Sequence, residues 1–422
     1  MLSTVINLPL NVKIILDTLN EHGFLSYIVG GCVRDSLLGV QPKDWDITTN
    51  AYPDEIESIF THTIPTGKAY GTITVVLPGL DESTDECYEV TTFRADGNYS
   101  DGRRPDIVTF GTSLKEDIMR RDFTINALAY NEYVGIVDYV DGIKDLENGI
   151  LRTVGKPEER FNEDALRLLR ALRFKCKYNL TFDSNTLKAM FDGIVNKHLL
   201  KNVSKERINS EIIQIVKNIE NISVDNLEII RRILCIELNN ISLLSIIQFF
   251  NGFGVYDVET RFAFLLGEKS LVDLEIWLRD LKFSNNMIKS ILNIININKY
   301  VTEVKKRANE NKEHINPRQI LKQLINKYGI EFVKLSLPLI EYYSASNTEF
   351  VKAYNDIMHS SEPLFLSELA INGNYIINNY NIYGLEVGHV LNKCMEKVLL
   401  EPNFNTIEKL DKYIKEEILC NN

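Results

Sequence analysis

Residues Tyr27–Thr48 read YIVGGCVRDSLLGVQPKDWDIT. A β-branched run stops at Gly30-Gly31, a short helical pattern closes at Gly39, and a second extended run opens at Asp44-Trp45-Asp46. In a strand, residues i and i+2 share a face, so both carboxylates converge while Trp45 points the other way. An Asp-x-Asp at a strand end also suits a solvated loop. The upstream context favours chemistry: Gly30-Gly31 between strand and helix lets backbone N–H groups and the helix dipole face a phosphate. Arg34 in the first turn would then reach a triphosphate oxygen. Two carboxylates held that close favour a divalent cation, and oxygen ligands suit Mg²⁺, which completes its shell with substrate phosphates.

Outward from this stretch, SYIVG (26–30), WDITT (45–49), GTITVVLP (71–78) and CYEVTTFR (87–94) are rich in β-branched and aromatic residues and are expected as strands. CVRDSLLG and YPDEIESIF are expected as helices between them, the second with Pro53 in its first turn. The N-terminal ~150 residues thus predict an α+β domain with a mixed sheet. After about residue 155, Leu/Ile-patterned helices follow one another to the end, with no fixed-period repeat.

At 422 residues, with 45% hydrophobic and 25% charged residues, the composition is that of a multidomain globular chain. The start lacks the features of a secretory signal, and no run is apolar enough to span a membrane, so a cytoplasmic protein without a membrane partner is expected. Six scattered cysteines form no C-x-x-C pair, which argues against a disulfide framework or a structural zinc site. The net charge of −11 argues against a nucleic-acid partner. The local distribution points the other way: Arg167, Arg170, Arg173, Lys175 and Lys177 occur within Ala165–Lys177 with no acid among them, an arrangement that invites a polyanion.

VGGCVRDSLLG…DWDI, RRDFTINALAY, VDYVDGIKDL, EDALRLLRALRF and SKERINSEI occur in the order seen in class II tRNA nucleotidyltransferases and the related bacterial poly(A) polymerases. The chain resembles this family of the polymerase β-like superfamily densely over residues 24–215. The resemblance implies an elongated protein: a nucleotidyltransferase head with a mixed sheet (1–150), an all-α neck carrying a template helix (151–215), a helical body (216–330) and a helical tail that binds tRNA (331–422). It implies metal-dependent transfer of nucleotides from CTP and ATP to the 3′ end of tRNA, with Asp44 and Asp46 on Mg²⁺; no protein partner is inferred.

The other motifs supply further candidates. By resemblance Arg121 is expected against the nucleotide; Asp122 either joins it or caps an apolar helix that the motif opens. Glu89 is either a third carboxylate near the metal or an outward strand residue. By resemblance NEDALRLLRALRFKCKY is the template, and hydrogen-bond chemistry shows how Asp164 and Arg167 would serve it. Cytosine and adenine both present an exocyclic amine beside a ring-nitrogen acceptor, which a carboxylate and a guanidinium read together. Uracil and guanine reverse that order and leave polar groups unpaired at ~1–3 kcal/mol each. Arg170 and Arg173 are expected on phosphate or packed against the incoming base, and Glu163 is expected to orient Arg167 or cap the helix. VDYVDGIKDLENG would be a hinge. The loop at 95–117, with Gly97, Gly102, Arg103, Arg104 and Pro105, is similar to that of full CCA-adding members. CCA addition is therefore favoured over poly(A), CC-only or A-only addition, and over an inactive RNA-binding protein.

Overall fold

The computed structural model describes residues 5–79, 84–97, 107–195, 198–219, 229–230, 248–250, 257–343 and 348–419. The chain forms two compact units, Met1–Glu237 and Leu238–Asn422. Arg103, Arg104 and Pro105 lie outside the described residues.

The first unit opens with helix α1 (Leu10–Glu21), which buries Val12, Ile15, Leu16 and Leu19 at helical spacing. Strand β1 (Ser26–Val29) is buried throughout because it lies inside the sheet, between β2 (Ile47–Thr49) and β8 (Leu128–Asn131). Helix α2 (Gly31–Leu37) links β1 to the Asp-Trp-Asp segment, and α3 (Pro53–Ile59) follows β2. With β3 (Thr63–Gly67), β4 (Thr72–Pro78), β5 (Asp85–Thr92) and β9 (Gly135–Asp138), the strands make a seven-stranded sheet of order β3-β4-β5-β2-β1-β8-β9. Only β2 and β5 pair in parallel within it, so the sheet is mixed as expected. Edge strand β3 carries Pro65 and shifts register between Ile64 and Gly67.

The two ends of the 95–117 loop pair as a small antiparallel ribbon, β6 (Arg94–Asp96) with β7 (Val108–Phe110). Phe110 closes onto Gly71, where any Cβ would come within 2.5 Å of the ring. Helix α4 (Leu114–Met119) follows, started by Ser113 and Glu116 as a capping box.

Two expectations change here. RRDFTINALAY opens no helix: after a 3-10 turn at Thr124–Asn126 it becomes β8, because Ile28 and Val29 pair with Tyr130 and Ala129. The good helical propensity of Ala-Leu-Ala is overridden by this pairing. Asp44 and Asp46 precede β2 rather than sitting in it, although Asp46 is held to β1 by the Val29 N–H at 3.0 Å.

After α5 (Gly142–Glu147) come α6 (Pro157–Glu163), α7 (Leu166–Tyr178), α8 (Ser184–Val195) and α9 (Lys205–Lys217). The helical run is interrupted by β11 (Thr181–Phe182), paired in parallel with β10 (Ile150–Leu151). Helix α7 packs against α9 and α6 against α8. Leu168, Leu169 and Leu172 of α7 are fully buried, as their spacing predicts.

The described part of the second unit is helical. The 27-residue helix Asn285–Asn311 buries Ile288, Ile291, Ile294, Ile297 and Val301. A core running from Ile297 to Ile418 joins the helices that follow. Among the described residues no helix is long and apolar enough to cross a membrane.

Candidate active site

Asp44 and Asp46 are exposed on either side of buried Trp45, the alternation that an extended segment demands. Both line a cavity of about 800 Å³ together with Lys43, Glu89, Asn11 and Cys87. Glu89 lies on the outward face of β5, and that face is the cavity wall, so its two sequence readings coincide. Desolvation by the cavity wall raises the pKa of Asp46; Arg121 opposes this and Asp44 adds to it. Glu89 is raised by burial and then by Asp46 and Asp44. A cation among these oxygens would reverse both shifts. Among the described residues no three such side chains cage an ion by themselves. The oxygen donor set therefore fits a hard ion such as Mg²⁺ that takes water and phosphate for the rest of its shell.

Gly30 ends β1 with φ +83, a left-handed conformation that glycine tolerates. A Cβ there would also meet Arg121 Nη1 at 3.1 Å, so this guanidinium lies across the glycine. The Gly30 N–H is taken by the Leu128 carbonyl at 3.0 Å and does not face a phosphate. Helix α2 has no side-chain cap, and its first amides, from Gly31 onward, are the ones open to an anion. Arg121 is anchored by Asp117, which is fully buried and also holds Arg120 at 2.7 Å. Burial opposes the charge of Asp117, but Arg121 and Arg120 outweigh it and keep the carboxyl below its usual range. Arg121 Nε is buried without a partner.

Arg34 is not the open phosphate arm that the sequence suggests. It is buried, donates to Asp35 Oδ1 at 2.7 Å, to Tyr178 Oη at 2.6 Å and to Asn126 Oδ1, and lies over the Tyr178 ring.

On the template segment, Asp164 lies in an extended break between α6 and α7 and not on a continuous helix. It accepts from Leu166 N at 3.0 Å and from Arg207 at 2.8 Å. Arg167 is held by Glu163 at 2.5 Å and by the carbonyls of Arg160 and Arg120. Asp164 and Arg167 are thus fixed separately, each by another element. The row of unpaired arginines expected on this helix is also corrected. Arg170 pairs with Asp122 at 2.6 Å, Arg173 with Glu211 at 2.8 Å, and both lie over Phe174. The acids come from α6, α9 and the turn after α4, which a local reading of one helix does not reveal. Arg207 and Glu211, four apart on α9, brace Asp164 and Arg173 rather than each other.

These pairs are unequal. For Arg173 and Glu211 desolvation is the largest cause, lowering the first and raising the second. Burial opposes ionisation of Asp122 too, yet Arg170 and Arg167 hold it down to about 2. With a folded pKa below the unfolded value, its contribution is complete above about pH 4 and is lost as pH falls towards 2, worth about 2 kcal/mol. Asp122→Ala is expected to cost about 3 kcal/mol by leaving Arg170 uncompensated. A thermal-unfolding midpoint within 1 °C of the wild type would show that the pair bears no load.

The sequence did not single out Asp117, Asn126 or Tyr178. The Asp117–Arg121 spacing of four is a helical-pair signal; Asn126 and Tyr178 carry no local one.

Residues 26–152 match the family model described as "Poly A polymerase head domain". The chain is 34% identical over 416 residues to the "CCA-adding enzyme" of Ligilactobacillus salivarius, covering 96% of both proteins. It is 42% identical over 279 residues to that of Staphylococcus haemolyticus, 65% of each. Its structure resembles that of the Bacillus stearothermophilus CCA-adding enzyme in complex with CTP, with TM-score 0.74, 27% identity and 97% coverage of both chains. The Thermotoga maritima CCA-adding enzyme complexed with tRNA shares the fold at 19% identity, TM-score 0.66, covering 97% of this chain and 96% of that one. These likenesses continue through the helical second half, where the sequence motifs end.

Proposed function

The chain belongs to the CCA-adding enzyme family, and on that premise we propose that it builds the 3′-terminal CCA of tRNA from CTP and ATP without a nucleic-acid template. The observation that carries the mechanism is the placement of Asp44 and Asp46 on one cavity wall, with Arg121 laid over Gly30 beside them. Asp44 and Asp46 would hold Mg²⁺, which when bound activates the attacking hydroxyl and neutralises charge on the leaving phosphate. Arg121 and the first amides of α2 bind the triphosphate. The tRNA 3′-hydroxyl displaces pyrophosphate from the α-phosphate.

Base choice falls to Asp164 and Arg167. The two oxygens of Asp164 have lone pairs beyond those used by Leu166 and Arg207, and Arg167 spends three of its five N–H donors on protein. Both are fixed in place, so little ordering accompanies recognition of cytosine or adenine. Arg170 and Arg173 act by holding Phe174 and α7 in position. We propose a cytoplasmic location, with which a tRNA substrate is compatible.

Transcripts ending before CCA, after C and after CC, offered each nucleotide and then sequenced, test this reading. Ordered addition of C, C and A followed by a stop is expected. Homopolymeric A tails, or addition halting after CC, would replace it with a poly(A) or CC-only activity. Binding without incorporation would make the chain a non-catalytic RNA-binding protein.

A further inference from the structure

Within the first unit, one polar network joins three segments distant in sequence. Asp122 Oδ2 accepts from Arg170 Nε at 2.8 Å and Asp122 Oδ1 from Asn126 Nδ2 at 3.2 Å. Asn126 Oδ1 accepts from Arg34 Nη1. Arg34 Nη2 donates to the Tyr178 hydroxyl at 2.6 Å, and that hydroxyl donates to Asp35 Oδ1 at 2.8 Å. The loop closes through rings: Arg34 lies 4.5 Å from the Tyr178 ring centre and 5.2 Å from that of Phe174, and Arg170 lies 5.2 Å from Phe174 on its own account.

On the proposed activity, the ends of this circuit belong to the two halves of the nucleotide site. Arg34 and Asp35 belong to α2, whose start receives the triphosphate. Asp122 and Asn126 flank the turn that begins beside Arg121. Arg170, Phe174 and Tyr178 belong to α7, at whose start the base is read. From the joining of these segments we infer that Tyr178 is a positioning residue, whose hydroxyl locks α7 to α2 so that a base is tested at a fixed distance from its own triphosphate. This inference rests on the proposed activity and adds to it a role for the last residue of the template segment.

The physical reason for such a lock lies in how selection works. Asp164 and Arg167 penalise a wrong base only if it cannot shift to find better partners while its phosphates stay bound. A rigid link between the two half-sites withholds that freedom. The hydroxyl is well suited to this work because it both accepts and donates, and so engages both members of the Arg34–Asp35 pair from α7. Removing it leaves the ring, and with it the packing on Phe174 and the cover over Arg34.

Tyr178→Phe in the full chain is the test, read as single-turnover incorporation of CTP, ATP, UTP and GTP into tRNA ending before CCA and after CC, well below the unfolding midpoint. The expected result is a rise of at least about tenfold in UTP incorporation relative to CTP, and in GTP relative to ATP. If the residue only stabilises the fold, the thermal midpoint falls and both ratios stay within twofold of the wild type, which overturns the inference. Should Tyr178→Phe fail to fold, Asp35→Asn removes the anion that orients the hydroxyl and is read by the same two ratios, with the same outcome for or against. The wild-type arm separates the two claims: a wild type that incorporates neither CTP nor ATP defeats the proposed activity and this inference together. A wild type that adds CCA with a variant of unchanged selectivity defeats the inference alone.

Discussion

Asp46→Ala is expected to lower nucleotide incorporation by roughly a thousandfold or more, since bound metal supplies several kcal/mol of charge stabilisation and about 4 kcal/mol is a factor of a thousand. The carboxylate sits on the cavity wall beside Asp44 and within the field of Arg121. Its removal leaves Asp44 and Glu89 too sparse to hold a divalent ion against water. Asp46 is exposed beside a second carboxylate, so the alanine variant should fold as well as the wild type. Incorporation of labelled CTP, alongside tRNA retention on a filter, separates the two effects. Turnover within tenfold of the wild type would refute the metal assignment, and lost RNA retention would indicate a folding defect instead.

The second large effect concerns which base is added. Arg167→Lys retains the charge but loses the planar fork, and with it the simultaneous hold of Glu163 and the carbonyls of Arg160 and Arg120. Discrimination of C and A against U and G should fall about tenfold, the equivalent of one unpaired polar group of ~1–3 kcal/mol that no longer penalises the wrong base. Single-turnover rates for the four nucleotides measure this directly. Fidelity equal to that of the wild type would remove Arg167 from base recognition.

The parts of this site that depend on near neighbours were legible in the sequence. The turn at Gly30 and the alternation about Trp45 follow from local geometry, and each appears at the expected residues. The parts that depend on distant partners were not. Arg170 reads as an exposed cation on a helix wheel until Asp122, 48 residues earlier, is folded against it. Arg34 looks like a phosphate ligand until Asn126 and Tyr178 close over it. Strand β8 is hidden for a related reason: its composition suits a helix, and only its place between β1 and β9 makes it extended. Periodicity reports which face of an element is covered but not the identity of the covering group.

One edge of the head sheet has a consequence of its own. Strand β3 ends the sheet with unpaired backbone groups, the arrangement by which one protein recruits a strand from another. Pro65 removes an N–H from that edge, and the register shift between Ile64 and Gly67 bends what is left out of line. An incoming strand would find neither a continuous ladder nor a straight one. Resistance to aggregation is thus written into a strand that has no part in nucleotide transfer.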